Sequence, residues 1–321
     1  KISWESIRYG RNPAEFANTP PPVMESALFK DAGHAILRSN GEKKLTAVFS
    51  FAPYRGFHSH FDMLSFIFFG FGQEICVDPG RAESQAYRLP VHKFWYKGTV
   101  SHNAVLVDFK PQGDTTTSEL LFFDANSNCP AAAAKTENAY PGVDQTRLLA
   151  LTPDYLLALD VIKSNKAAIF NWICHFEAEK LISDSPTRSV NAAGLGQGFE
   201  YIKNAGEGKS INLAKFELLQ QTFKTCLTVF AKDRLNFFTG DGPKGSIAKR
   251  CPLVIVSNAD KTKSLAFAAT LEPVKNTVAP TIKNIELSQN GKLLTIKVFR
   301  TGGTDVFTYD GKNKFSAQLV K

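Results

Sequence analysis

Beyond the Pro20-Pro21-Pro22 triplet the sequence is a succession of apolar segments of strand length, and helical periodicity is nearly absent. Ala35–Leu37, Leu45–Phe51, Leu64–Phe69, Glu74–Val77, Ala104–Val107, Leu120–Phe123, Arg147–Leu151 and Leu156–Val161 are rich in Val, Ile, Leu or Phe and are bounded by Gly, Pro, Asn or Asp. Branched and aromatic side chains suit a pleated surface, and the bounding residues supply turns. The pattern continues through Ala168–Phe176, Thr225–Phe230, Leu253–Ser257, Ser264–Thr270, Lys292–Phe299 and Thr304–Tyr309, with Asn290-Gly291 and Asp310-Gly311 as hairpin punctuation. These segments predict an all-β fold, a large antiparallel multi-sheet sandwich with two or more stacked sheets. The glycine-rich stretch Ser183–Ser210 interrupts the pattern and predicts a long surface loop.

Ahead of the prolines, Lys1–Gly10 suits a short amphipathic helix with Ile2, Trp4 and Ile7 loosely on one side, and the prolines end it. Residues 1–24 therefore read as a linker or tail, and residues 25–321 as the β domain. Lys1 is not an initiator methionine and the opening segment lacks the order of a signal peptide, so the chain is expected to begin inside a larger gene product or after processing. The longest apolar run, Phe61–Phe71, contains Asp62 and falls short of the roughly 20 residues that a membrane-spanning helix needs. Cysteines 76, 129, 174, 226 and 251 are odd in number and scattered, which predicts buried thiols rather than a disulfide framework or a zinc ribbon.

Apolar residues make up 43% of the chain and 26 are Phe, enough to build a core and exclude intrinsic disorder. The formal charge of +8 favours an anionic partner. Nucleic acid is disfavoured, because the lysines are dispersed and no Arg-rich arm, RNP-like strand or helix-turn-helix spacing occurs. An acidic polysaccharide would use the same field.

Polar residues enter the apolar pattern at one place, His58-Ser-His60-Phe-Asp62, followed by Asp78-Pro79-Gly80 and Ser101-His102-Asn103. If extended, His58, His60 and Asp62 share one face, because side chains on a strand alternate. Imidazole and carboxylate suit zinc or a similar divalent ion, with a further ligand recruited from elsewhere in the fold. Asp78 ends the next strand and can return beside His60, and His102 leads into another. Histidines bonded to backbone and a plain turn at Asp78 are the alternative. Cupins also carry His-x-His, but need a Glu where Leu64 and Ser65 stand, and amidohydrolases need the helices of a (β/α)₈ barrel.

The run His58-Ser-His60-Phe-Asp62-Met-Leu-Ser-Phe, then Val77-Asp78-Pro-Gly80, Tyr87, and Thr99-Val-Ser-His102-Asn103-Ala-Val-Leu-Val-Asp108, resembles the C-terminal β domain of the heparinase II/III group of polysaccharide lyases, which includes alginate oligosaccharide lyases. Trp172-Ile-Cys-His175 adds to the likeness. The resemblance implies a β-sandwich following an N-terminal α/α toroid of the same gene product, with an acidic poly- or oligosaccharide held between them, and a periplasmic or secreted location. It implies that His60, Asp78 and His102 ligate a largely structural zinc, that His58 faces the sugar as a catalytic residue, and that Asp62 and Asn103 orient the ligands. Tyr87, Trp95 and Arg81 are expected to contact substrate, with Arg250 as a further anion contact and Tyr54 in the substrate wall. The toroid of relatives supplies the catalytic tyrosine and the groups that neutralise the carboxylate, so this chain would carry part of an active site. A glycan-binding or structural module and a metal-dependent hydrolase using Asp62 as base are the competing readings.

Overall fold

The computed structural model describes residues 24–56, 58–80, 89–125 and 128–320. The tail predicted over Lys1–Gly10 lies outside them, as do Arg81 and Tyr87. Among the described residues the strands form three antiparallel sheets. The first is a meander of Ala27–Phe29, His34–Arg38, Thr46–Ser50, Phe66–Gly70 and Gln73–Cys76. Its three inner strands alternate buried and half-exposed residues, as in Thr46–Ser50, because one face is packed and the other is not.

The second sheet is twelve-stranded and runs from Val105–Val107 at one edge, through Phe170–His175, Ser246–Asn258, Phe223–Lys244, Thr262–Lys275, Leu156–Ala168, Val143–Leu151 and Ala131–Tyr140, to Glu119–Asp124. The third is a four-stranded meander of Ile282–Asn290, Leu293–Arg300, Gly303–Tyr309 and Phe315–Gln318. Sequence neighbours in the middle sheet face opposite cores. Leu149 and Leu151 join Phe49, Phe66 and Phe68 in one cluster, whereas Leu148 and Ala150 join Ile285, Ile296 and Phe307 in another. A sheet covered on both faces reads as continuous apolar runs instead of alternation. The predicted stacked sandwich is thus borne out, and a third cluster around Trp95, Tyr96, Ile173, Phe199 and Ile255 lies at the Val105–Val107 end.

Ser183–Ser210 is not one loop. A short strand at Arg188–Ser189 and 3-10 turns at Ala192–Gly194 and Phe199–Tyr201 precede a strand that runs from Lys203 to Leu219. Its glycines misled the reading of the sequence: a Cβ on Gly208 would lie 2.2 Å from the Phe237 ring of the adjacent strand, so glycine there makes room for an aromatic neighbour. No helix among the described residues is long and apolar enough to cross a membrane. The cysteines are free thiols, all buried except the half-buried Cys226.

Candidate active site and metal centre

The connection between Thr46–Ser50 and Phe66–Gly70 carries His58, His60 and Asp62. Contrary to the extended reading, the described residues among 51–65 form no strand and the ladder begins at Phe66. The break falls at Leu64, whose φ of +60° is a left-handed conformation that a bulky residue adopts only under constraint. Buried side chains supply that constraint. The Met63 N–H donates to Gln112 Oε1 at 2.9 Å, and Gln112 Nε2 donates back to the Met63 carbonyl at 3.0 Å.

Asp78 follows the strand Gln73–Cys76, and His102 lies between the 3-10 turn Thr99–Ser101 and the strand Val105–Val107. Their side chains meet with His102 Nδ1 2.8 Å from Asp78 Oδ2. The other carboxylate oxygen, Asp78 Oδ1, accepts the Gly80 N–H at 2.8 Å, closing the Asp-Pro-Gly turn. Asp62 joins them, since one metal-binding atom from each of Asp62, Asp78 and His102 lies within 4.8 Å of the others. His60 stands against this group, its ring centroid 5.2 Å from that of His102. Asp62 is therefore as close to a shared centre as the residues expected to ligate. His58, two residues before His60, is exposed.

Burial pushes the His60 pKa down to about 4, aided by the charge of His102, so at neutral pH it is an uncharged imidazole with a lone pair to offer. Burial works the same way on His102, but the Asp78 charge and hydrogen bond outweigh it and raise the value to about 9. Asp78 sits well below the ordinary carboxylate range: burial opposes this and His102 overrides it. Asp62 is shifted upward, chiefly by burial.

His102 Nε2 is buried with no hydrogen-bond partner. Without an ion the ring is held protonated beside Asp78, and a bound cation would displace the proton on Nε2 and use its lone pair. Asp62, Asp78 and His102 offer two carboxylates and one imidazole within reach of one another, a donor set that suits a divalent ion. The residues present fit a divalent ion.

Asn103, 1% exposed, ties the surroundings together. Its Nδ2 donates to the Phe66 carbonyl at 2.8 Å and the Val77 carbonyl at 3.0 Å, and its Oδ1 accepts the His175 N–H at 2.7 Å. One amide thus joins the segments leading to Asp62, Asp78 and His102. His175 lies behind it, its pKa pushed down to about 3 by burial first and His102 second.

Trp95 is a correction. His92–Tyr96 is a helical turn of the wide π type, and Trp95 within it is wholly buried, packed edge-on against His175 with Nε1 donating to the Pro243 carbonyl at 2.9 Å. It offers no face to a glycan. Arg250, considered as an anion contact, is paired with Asp241 and donates to the Tyr201 carbonyl at 2.7 Å. Tyr54, by contrast, is half-exposed and stacks flat on Phe61 at 4.9 Å, next to the polar segment. Sequence reasoning missed Gln112 and Arg147, buried polar residues that bond to the site's backbone. Arg147 carried a signal, a charge at the head of the apolar run Leu148–Leu151.

The Heparinase II/III-like, C-terminal family profile matches residues 21–234. An alginate lyase of Stenotrophomonas maltophilia (strain K279a) is 34% identical over 164 residues, covering 45% of this chain and 22% of that protein. An exo-oligoalginate lyase of Saccharophagus degradans is 30% identical over 142 residues, covering 38% of this chain and 19% of that protein. The matched region thus spans about a fifth of these curated relatives. Among solved structures, a heparinase III superimposes with a TM-score of 0.72 at 16% identity, over 95% of this chain and 45% of that one. The heparan sulfate lyase HepC of Pedobacter heparinus gives 0.70 at 16%, over 96% and 46%. These likenesses match the three-sheet fold, and with the profile covering well over half of the sequence, the chain belongs to the heparinase II/III-like C-terminal family.

Proposed function

We propose that this chain is the β domain of a polysaccharide lyase that cleaves a uronate-containing glycan, of alginate or heparan type, by β-elimination. The observation that carries the reading is the convergence of Asp62, Asp78 and His102 from three separate segments, with His60 against them and His58 exposed two residues away. The reaction removes the weakly acidic C5 proton beside the uronate carboxylate and expels the O4 leaving group with a proton. His58 is the sugar-facing group, an imidazole whose ring nitrogens can take up and release a proton. His60, Asp78 and His102 would hold a zinc ion, with Asp62 orienting them. The bound ion would fix the loops around His58. Tyr87 and Arg81 are proposed to contact the glycan.

An N-terminal toroid of the same gene product would complete the cleft and supply the tyrosine and the carboxylate-neutralising groups, with residues 1–24 as its tail or linker and residues 25–321 as the β domain. The full protein would work in the periplasm or outside the cell. Full-length protein incubated with uronate polymers should generate the ultraviolet absorbance of an unsaturated product, and His58→Ala should abolish it without unfolding the protein. Undiminished activity in that variant would remove His58 from the mechanism.

A further inference from the structure

Arg147 and Asp160 are both wholly buried, paired directly across the strands Val143–Leu151 and Leu156–Ala168. The guanidinium grips Asp160 with both prongs, Nε to Oδ1 at 2.8 Å and Nη2 to Oδ2 at 2.9 Å, while Gln145 Nε2 donates to Oδ1 at 3.1 Å. The third nitrogen, Nη1, points out of the sheet and donates to two carbonyls, Leu64 O at 2.5 Å and Asn103 O at 2.6 Å. Leu64 follows Asp62 by two residues, and Asn103 follows His102 directly. The Phe66 ring lies 5.3 Å from the guanidinium carbon.

A buried ion pair is an inefficient way to stabilise a core, since apolar residues of like volume often do as well or better. This one does something an apolar pair cannot. A single nitrogen fixes how far the Asp62 segment stands from the His102 segment, and it does so at Leu64, where the left-handed backbone must be held. A lysine ammonium lacks the fork that anchors the group to Asp160 while leaving a third nitrogen aimed elsewhere.

We propose that Arg147 is a positioning residue for the site, a clamp on the middle sheet that sets the separation of the two segments bearing Asp62 and His102. The inference deepens the metal-site reading above, but does not depend on lyase activity. The test uses the whole protein carrying Arg147→Lys, and separately the double variant Arg147→Met with Asp160→Leu, which leaves no orphaned charge. Zinc affinity, measured by competition with a chromogenic chelator, should fall by about tenfold or more, as it does when groups that orient metal ligands are lost, while the double variant keeps its melting temperature within a few degrees. A folded variant that binds zinc as tightly as the unaltered protein overturns the clamp.

Native-state hydrogen exchange on the unaltered protein supplies a readout that needs no variant. The amides around Ser65 and Val105 should open together with those of Thr146–Leu148, and independent opening of the segments refutes the proposal. If the full-length protein shows no lyase activity while these results hold, the function fails and the clamp stands.

Discussion

His102 Nδ1 and Asp78 Oδ2, 24 residues apart in sequence, are 2.8 Å apart in space, and the imidazole nitrogen on the far side of that ring is buried with no partner. The pairing fixes the orientation of the ring, and in the proposed site a metal ion would take the lone pair of that far nitrogen.

Chelation should therefore cost stability as well as order. With free zinc at a hundredfold its Kd, linkage contributes about 2.7 kcal/mol to the folded state. Differential scanning calorimetry with and without a chelator measures it, and an unchanged melting temperature with metal removed would show that the ion does not support the fold. Reversible loss of turnover with an unchanged melting temperature would favour the hydrolase reading instead.

In the proposed site Asp62 and His60 are alternative candidates for one place around a bound ion. His60→Ala should abolish stoichiometric zinc, whereas Asp62→Asn should weaken it by about 10–100-fold, the range for a group that orients ligands without being one. Metal analysis after gel filtration decides, and the reverse order would make Asp62 the ligand and His60 its neighbour.

Trp95→Ala should destabilise the protein by about 3–5 kcal/mol, since it empties the space of a wholly buried indole. Trp95→Phe, which loses only the bond to the Pro243 carbonyl and part of the ring, should keep the glycan KM unchanged. A raised KM with intact stability would return Trp95 to the substrate surface.

Acid should loosen the third sheet first. Burial raises the Asp154 pKa, but Lys43 and Arg300 outweigh it and hold the carboxyl below its ordinary value. A depressed folded value means the contribution is fully present above the unfolded pKa and disappears as pH falls through the folded one. Arg300, on the strand Leu293–Arg300, reaches Asp154 at 2.6 Å, so proteolysis should release the C-terminal sheet more readily below about pH 4, the ordinary carboxylate value, than at neutral pH, and Asp154→Asn should flatten that dependence. Equal resistance at both pH values would show that this pair does not hold the sheet.

The stacked sheets were readable because each strand declares itself locally, through branched residues between turn formers. The convergence of Asp62, Asp78 and His102 was foreshadowed because ligand-type side chains stand out against apolar surroundings. What hid was whatever depends on a distant partner. The break at Leu64 is stabilised by Gln112 and Arg147, residues far along the chain, so the local pattern pointed to a strand. Trp95 looked like an exposed aromatic because nothing in its own segment announces the Pro243 carbonyl. The strand Lys203–Leu219 hid behind its glycines, of which Gly208 makes room for the Phe237 ring.

The middle sheet carries apolar residues on both faces, and the family match ends inside its longest strand, Phe223–Lys244. A recombinant fragment cut at Arg234 would sever that strand and strip the Ile285, Ile296 and Phe307 layer from its neighbours, presenting a broad greasy wall to water. Expression trials that trim the gene to the homologous region should yield inclusion bodies, while those that keep the last eighty or so residues should yield soluble protein.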